Sequence, residues 1–199
     1  MYGRAGEEII YFRSQGFEPI VIPGVSSALA GPIFAGVPVT QRGVAESFIV
    51  CTGVGRGGKD GKLPGYERSR TLVILMGIAR LEAVLDALRN PDLPLGKRDG
   101  PSYPGHLPIA IIERATMPDQ RIVFSTLRNM GAAMGNMGEQ RPPGMIVVGW
   151  AVLCLWKHGD LSMLDGRGEG VDETGVRVWL EGKPWRVEEG LSEYWINLC

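Results

Sequence analysis

Five short runs rich in β-branched and apolar residues constrain the fold most: SFIVCT (47–52), TLVIL (71–75), PIAIIE (108–113), RIVFSTL (121–127) and GMIVVGWAV (144–152). Each is too short for a stable helix and is bounded by Gly, Pro or charged residues, which is the pattern of strands. Residues 71–75 carry apolar residues on both faces, as in a covered parallel strand. The run 121–127 reads as an edge strand. Helical patterns fall between and before these runs. Leu81, Val84, Leu85 and Leu88 recur at helical spacing within 81–89. Residues 7–15 carry Ile9, Ile10 and Phe12 and stop at Gly16, while 27–34 form a small-residue helix. A further helix is expected over 128–134. Strands alternating with helices predict an α/β protein with helices on both faces of its sheet.

The segment Val21 to Gly43, VIPGVSSALAGPIFAGVPVTQRG, carries the first functional signal. Residues 19–22 read as a short buried strand entering a Pro23-Gly24 turn. Ser26 and Ser27 follow at the start of a helix, where backbone N–H groups lack intrahelical acceptors and can bind a ligand. The alternative is an ordinary connection with Ser26 or Ser27 as N-cap. Met76 ends a strand just before Gly77. It suits a core filler, or a ligand contact at the strand edge where α/β sheets bind ligands. Ala115 and Thr116 follow another strand, either as a tight turn capped by Thr116 or as a ligand-contacting backbone. Pro143, Gly144 and Met145 form either a strand start or a further pocket wall.

Composition narrows the class. Net charge is −1, which gives no reason to expect nucleic-acid or membrane-surface binding. No apolar run is long enough to span a bilayer, and MYGRAGEEII is not a signal peptide. Cys51, Cys154 and Cys199 are sparse and odd in number, which favours reduced thiols in a cytoplasmic protein. His106 and His158 have no metal-like spacing with them, so no metal site is expected. The 29 glycines and 14 prolines act as punctuation between elements, with no internal repeat. Residues 53–70, 90–107 and 127–143 read as loose. Beyond His158 composition shifts to Gly, Glu and Asp, and the alternation in 176–180 and 185–187 suggests a terminal hairpin.

The ordered string Pro23-Gly24-x-Ser26-Ser27-Ala28, then Gly36-Val37-Pro38-Val39-Thr40-x-Arg42, resembles the linker of the tetrapyrrole methylases. Further similarities follow in the family's order: Thr52-Gly53, the strand 71–77 ending Met76-Gly77, the turn ERATMPDQ (113–120), and RPPGMIVVGWAV (141–152). Together they cover about residues 1–153. The resemblance implies a tetrapyrrole methylase-like α/β domain with a mixed sheet, using S-adenosylmethionine for C-methylation of uroporphyrinogen III to precorrin-2 in sirohaem biosynthesis. It implies cofactor contacts from Pro23, Gly24, Ser26, Ser27, Met76, Gly77, Ala115, Thr116, Pro143 and Gly144. Because that substrate carries carboxylates, it implies substrate contacts from Thr40 and Arg42, with Arg56, Lys59, Arg68 and Arg70 as further acid receivers. No residue is singled out as catalytic.

The sequence departs from the family at Gln41, Val54 and Ala79, where polar or imidazole side chains are common, and at Ala115, where Gly is. The family's Gly-x-Gly-Pro-Gly-Asp and Gly-Gly-Asp-Pro segments do not occur. MYGRAGEE resembles the residues just after the second of these. The expectation is that 1–42 are a remnant of a first domain and linker, lacking on the order of 100 residues, that 43–157 are the second domain, and that 158–199 are an extension. The resemblance implies a homodimer with a small-molecule tetrapyrrole substrate. It leaves open a related methylase acting on another precorrin or a diphthamide precursor, or an inactive remnant serving as a dimerising partner. The isolated chain is expected to transfer little methyl.

Overall fold

The computed structural model describes residues 3–59, 61–93, 96–156 and 169–192. Two helices, α1 (Ala5–Ser14) and α2 (Ser27–Phe34), precede the first strand. The elements that follow are β1 (Ser47–Thr52), β2 (Leu63–Pro64), β3 (Arg70–Leu75), α3 (Leu81–Arg89), β4 (Arg98–Asp99), β5 (Pro108–Glu113), β6 (Arg121–Thr126), α4 (Met130–Asn136), β7 (Gly144–Val148), α5 (Glu169–Trp179) and β8 (Trp185–Glu189). Six strands make one mixed sheet in the order β1-β3-β7-β5-β6-β8, and β2 pairs with β4. Only β1 and β3 are parallel neighbours within the six; the other pairs are antiparallel. The central strands are the apolar runs, and Val73, Ile74, Ile109, Ile111, Ile146 and Val147 are fully buried.

The amphipathic helix sits as its spacing predicts. Leu81, Val84, Leu85 and Leu88 of α3 are buried. Arg98 Nη1 donates to the carbonyls of Ala87 (2.7 Å), Leu88 (3.1 Å) and Asn90 (2.9 Å), which satisfies acceptors left free at the helix end. The run 144–152 divides: β7 ends at Val148, Gly149 adopts φ 137°, and a short 3₁₀ turn, Trp150–Leu153, follows. A side chain there would meet the Arg70 carbonyl at 3.1 Å, so glycine is required where the chain leaves the sheet.

Three expectations are corrected. Residues 19–22 form no strand; Ile20 is 91% exposed and Ile22 85%, because no described strand lies beside them to accept pairing. The run 121–127 is not an edge: β8 pairs along all of β6 but its last residue, with Arg121 opposite Glu189 and Ser125 opposite Trp185. Residues 176–180 are not a hairpin strand but the end of α5 and its following turn. Asp172, Val176, Trp179 and Leu180 are buried at helical spacing, and only 185–189 are extended. Packing of Trp179 edge-on to Phe124, with ring centroids 5.8 Å apart, fixes that helix against the sheet. His158 and Cys199 lie outside the described residues.

Candidate cofactor cleft

β7 runs antiparallel to both β3 and β5, so its start lies beside their C-terminal ends. Register makes this exact at the side-chain level: Met145 faces Leu75 on one side and Ile112 on the other. These three form the apolar floor of a cleft of about 360 Å³, lined also by Ser27, Met76, Ala115, Pro143 and Gly144. Residues separated by more than a hundred positions thus share one sheet edge.

The start of α2 forms one wall. Ser26 occupies its N-cap position, yet no side chain caps the first turn, so the hydroxyl and the leading amides keep their capacity to donate. The helix approaches closely because of Gly31: a Cβ there would meet Met145 Cε at 2.5 Å. Gly53 and Gly77 make a second close approach at the β1 and β3 ends, where a Cβ on Gly53 would lie 2.6 Å from Gly77 Cα.

Backbone strain concentrates at the same edge. Met76 (φ 56°), Arg114 (φ 51°) and Thr116 (φ 72°) are three of the four described non-glycine residues with positive φ. Such conformations cost about 1–3 kcal/mol each and persist only where surroundings enforce them. Here the surroundings are hydrogen bonds. Arg114 N–H donates to the Pro143 carbonyl at 2.8 Å, and Thr116 N–H donates to Gln120 Oε1 at 2.9 Å. Gln120 is itself buried. Met76 is held on the surface of the cleft, the residue 50% exposed, instead of filling the core.

Behind the floor lies a buried ion pair. Arg121 Nε donates to Glu113 Oε2 at 2.5 Å, with both side chains almost fully buried. The guanidinium also donates to the Met137 and Glu139 carbonyls, each at 2.9 Å, and Glu113 Oε1 accepts from Arg141 N–H at 2.9 Å. This network ties the segment leading to Pro143 and Gly144 onto β5 and β6. A buried charge with all its partners in place can be kept; one left unpaired cannot.

The sequence-predicted residues separate into two groups. Ser27, Met76, Ala115, Pro143 and Gly144 line the cleft. Ser26, Gly77 and Thr116 are chain neighbours of lining residues, and Pro23 and Gly24 lie on the exposed segment before α2. Thr40 and Arg42 do not line it. They sit on an exposed turn before β1, closed by Gln41 N–H donating to the Ala45 carbonyl at 2.9 Å. Arg68 and Arg70 are corrected as free receivers of substrate acids. Arg68 makes a bidentate pair with buried Asp172 (2.6 and 2.9 Å) and stacks 4.7 Å over Trp150; its pKa is raised, chiefly by that hydrogen-bonded pair. Arg70 pairs with Glu67. The sequence reading missed Leu75 and Ile112, whose signal is their place at the ends of apolar strands. It also missed the Glu113–Arg121 pair, signalled by a charged residue ending the run PIAIIE. Among the described residues no cluster of His, Cys, Asp and Glu can hold a metal.

A mixed sheet with an apolar cleft at its strand ends, beside a helix start, makes an α/β domain with a candidate site at its sheet edge. Comparison with known proteins specifies which. Residues 1–131 match the family model described as Tetrapyrrole (Corrin/Porphyrin) Methylases. A probable uroporphyrinogen-III C-methyltransferase of Schizosaccharomyces pombe is 44% identical over 155 residues, covering 78% of this chain and 29% of that protein. A uroporphyrinogen-III C-methyltransferase of Methanocaldococcus jannaschii is 40% identical over 160 residues, covering 78% of this chain and 61% of the relative. Among solved structures, uroporphyrin-III C-methyltransferase of Thermus thermophilus complexed with S-adenyl homocysteine matches with TM-score 0.57 and 32% identity, over 76% of this chain and 59% of that one. The chain belongs to the tetrapyrrole methylase family. It spans less than two thirds of the length of these relatives.

Proposed function

We propose that this chain provides the second-domain wall of an S-adenosylmethionine-dependent methyltransferase that C-methylates uroporphyrinogen III to precorrin-2 in sirohaem biosynthesis. The observation that carries the reading is the convergence of Ser27, Met76, Ala115, Pro143 and Gly144 on one cleft. The relatives' names and the S-adenyl homocysteine bound to the Thermus neighbour support it. The residues fit such a ligand: an apolar floor for flat and aliphatic parts, and uncapped amides and hydroxyls at the α2 start for polar parts.

When bound, the cofactor supplies a methyl group on a sulfonium, transferred by in-line displacement to an electron-rich pyrrole carbon. This chain's part is positional. Leu75, Ile112 and Met145 exclude water from one side of the ligand. The strained turns at Met76 and 114–116 hold backbone groups where the ligand needs them, without reorganisation during reaction. Pro23, Gly24, Ser26, Gly77 and Thr116 complete the cofactor contacts in this reading, and Thr40 and Arg42 reach the substrate carboxylates from the turn before β1. Arg42 suits that task because a guanidinium stays charged and binds carboxylates bidentately.

The reading extends to the assembly. Residues 1–42 belong with a first domain and linker, 43–157 form the second domain, and 158–199 an extension. A homodimer and a cytoplasmic location complete it, without nucleic acid as partner; net charge −1 supports the last point. No helix among the described residues is long and apolar enough to cross a membrane. The exposure of Ile10, Phe12, Phe17, Ile20, Val21 and Ile22 favours a second reading, a non-catalytic partner whose role is association. Calorimetric titration with S-adenosylhomocysteine distinguishes the two. The first reading expects homocysteine-ligand binding that Ala115→Arg abolishes; no binding by the folded wild-type chain overturns it.

A further inference from the structure

β8 lies beyond residues 1–131, the stretch that matches the family model, and none of its residues lines the cofactor cleft. It nevertheless ends beside two segments that do. Glu189, its last residue, stands opposite Arg121 of β6, at the base of the turn 114–120 that joins β5 to β6 and carries Ala115. One residue further, the Gly190 N–H donates to the Gln120 carbonyl at 2.7 Å. Gln120 is buried, and its side-chain oxygen accepts the Thr116 N–H at 2.9 Å, where the turn has positive φ. The end of β8 thus holds the residue that holds Thr116.

A second set of contacts starts from the same place. Residues 137–143 lead into β7 and are pinned to the ends of β6 and β5, where Arg121 donates to the Met137 and Glu139 carbonyls and the Arg141 N–H donates to Glu113 Oε1. The Arg141 side chain continues outward to β8. Its Nη1 donates to Glu189 Oε2 at 2.6 Å and to the Asp119 carbonyl at 3.3 Å, and its Nη2 to Glu189 Oε1 at 3.4 Å. One guanidinium therefore joins the segment leading to Pro143, the turn carrying Ala115 and the end of β8. The two cleft walls also meet directly, through the bond from Arg114 N–H to the Pro143 carbonyl.

Resting on the cofactor reading of the cleft, we propose that the end of β8 is its clasp: Glu189, acting through Arg141, is a positioning residue that sets Ala115 and Pro143 at the separation the cofactor requires, and the Gly190–Gln120 bond steadies the turn between them. Arg141 and Glu189 are partly exposed, so their pair adds little to global stability. Its effect is local. Strained turns persist only while their surroundings enforce them. Once the clasp is loosened, ligand binding must re-order both walls, and affinity falls by that cost.

Calorimetric titration of the full chain with S-adenosylhomocysteine, paired with hydrogen–deuterium exchange of the ligand-free chain, tests this. Glu189→Lys turns the pair with Arg141 into a repulsion and is expected to weaken binding about fivefold; Glu189→Gln only removes the charge and weakens it about twofold. Glu188→Lys is the control. It makes the same change of charge one residue away, on the opposite face of the strand, where the carboxylate lies 3.7 Å from Arg186. Its affinity is expected to equal that of wild type. Both glutamates are exposed, and thermal melting checks that each variant is folded at the titration temperature. Glu189→Lys should quicken amide exchange in 114–120 and 139–144 and leave β5 and β7 as in wild type, a pattern that general destabilisation does not give. Equal affinities in Glu189→Lys and Glu188→Lys, or faster exchange spread evenly over the sheet, overturns the clasp. If the wild-type chain binds no S-adenosylhomocysteine, the functional reading fails by itself, and unchanged exchange in 114–120 and 139–144 overturns the clasp separately.

Discussion

Residues 3–26 and the central strands use the same kinds of apolar side chain and reach opposite fates. Ile20 and Val25 are each 91% exposed, whereas Ile109, Ile111 and Ile146 are at 0%. These isoleucines and valines are chemically alike; the difference is neighbours. β5 and β7 each have a strand on both sides and helices over them, while α1 buries none of its residues. Burial belongs to an arrangement, not to a residue type.

The largest effect separating the regions is expected at the buried ion pair. Glu113→Ala leaves Arg121 charged and unpaired in the core, a loss of about 3–5 kcal/mol. Urea unfolding measures it, with Arg4→Ala, which removes the exposed pair with Glu7, changing stability by less than about 1 kcal/mol. The next test compares isoleucines directly. Ile111→Ala is expected to cost about 2–5 kcal/mol, and Ile20→Ala to stay within about 0.5 kcal/mol. Similar losses at both positions would mean that residue 20 is packed in solution.

The strands were legible because β-branched apolar runs bounded by Gly and Pro have few alternatives. The edge role of 121–127 was misread because the strand that covers it, β8, lies some 60 residues downstream behind a helix whose Val176 and Trp179 mimic alternation. Residues 19–22 were misread for a related reason: PIVI states the wish to be buried but not the partner. At the site, strand-end position placed Met76, Ala115 and Gly144, since sheet topology alone brings such ends together. The pair Arg68–Asp172 was illegible, because no local pattern links residues 104 apart in sequence.

Strain at the cleft gives a smaller and opposite effect. Met76→Gly removes the left-handed penalty at φ 56° and is expected to stabilise the fold by up to about 1 kcal/mol. The same change removes a side chain from the cleft wall, so affinity for S-adenosylhomocysteine should fall. Stability rising while affinity falls is the mark of strain kept for function. A fall in both would place Met76 with the core residues instead.

The smallest expected signal tests which region β1 belongs to. It pairs with β3 on one side, and no described strand lies on the other. If β1 is as solid as the core, the Cys51 thiol keeps the environment seen here, where burial pushes its pKa up to about 12. The reactive form is the thiolate, and burial disfavours it. At pH 8 a thiol of that pKa is ionised in about one molecule in ten thousand. Raising the pH to 9 increases the fraction only about tenfold, far short of an exposed cysteine. Cys154, pushed up to about 11 by the same cause, follows one pH unit earlier. Iodoacetamide labelling at pH 8, followed by peptide mass analysis, should therefore find Cys51 unmodified in the folded chain and modified in urea. Rapid labelling without denaturant would show that β1 opens from the sheet and that the boundary between the two regions lies at β3.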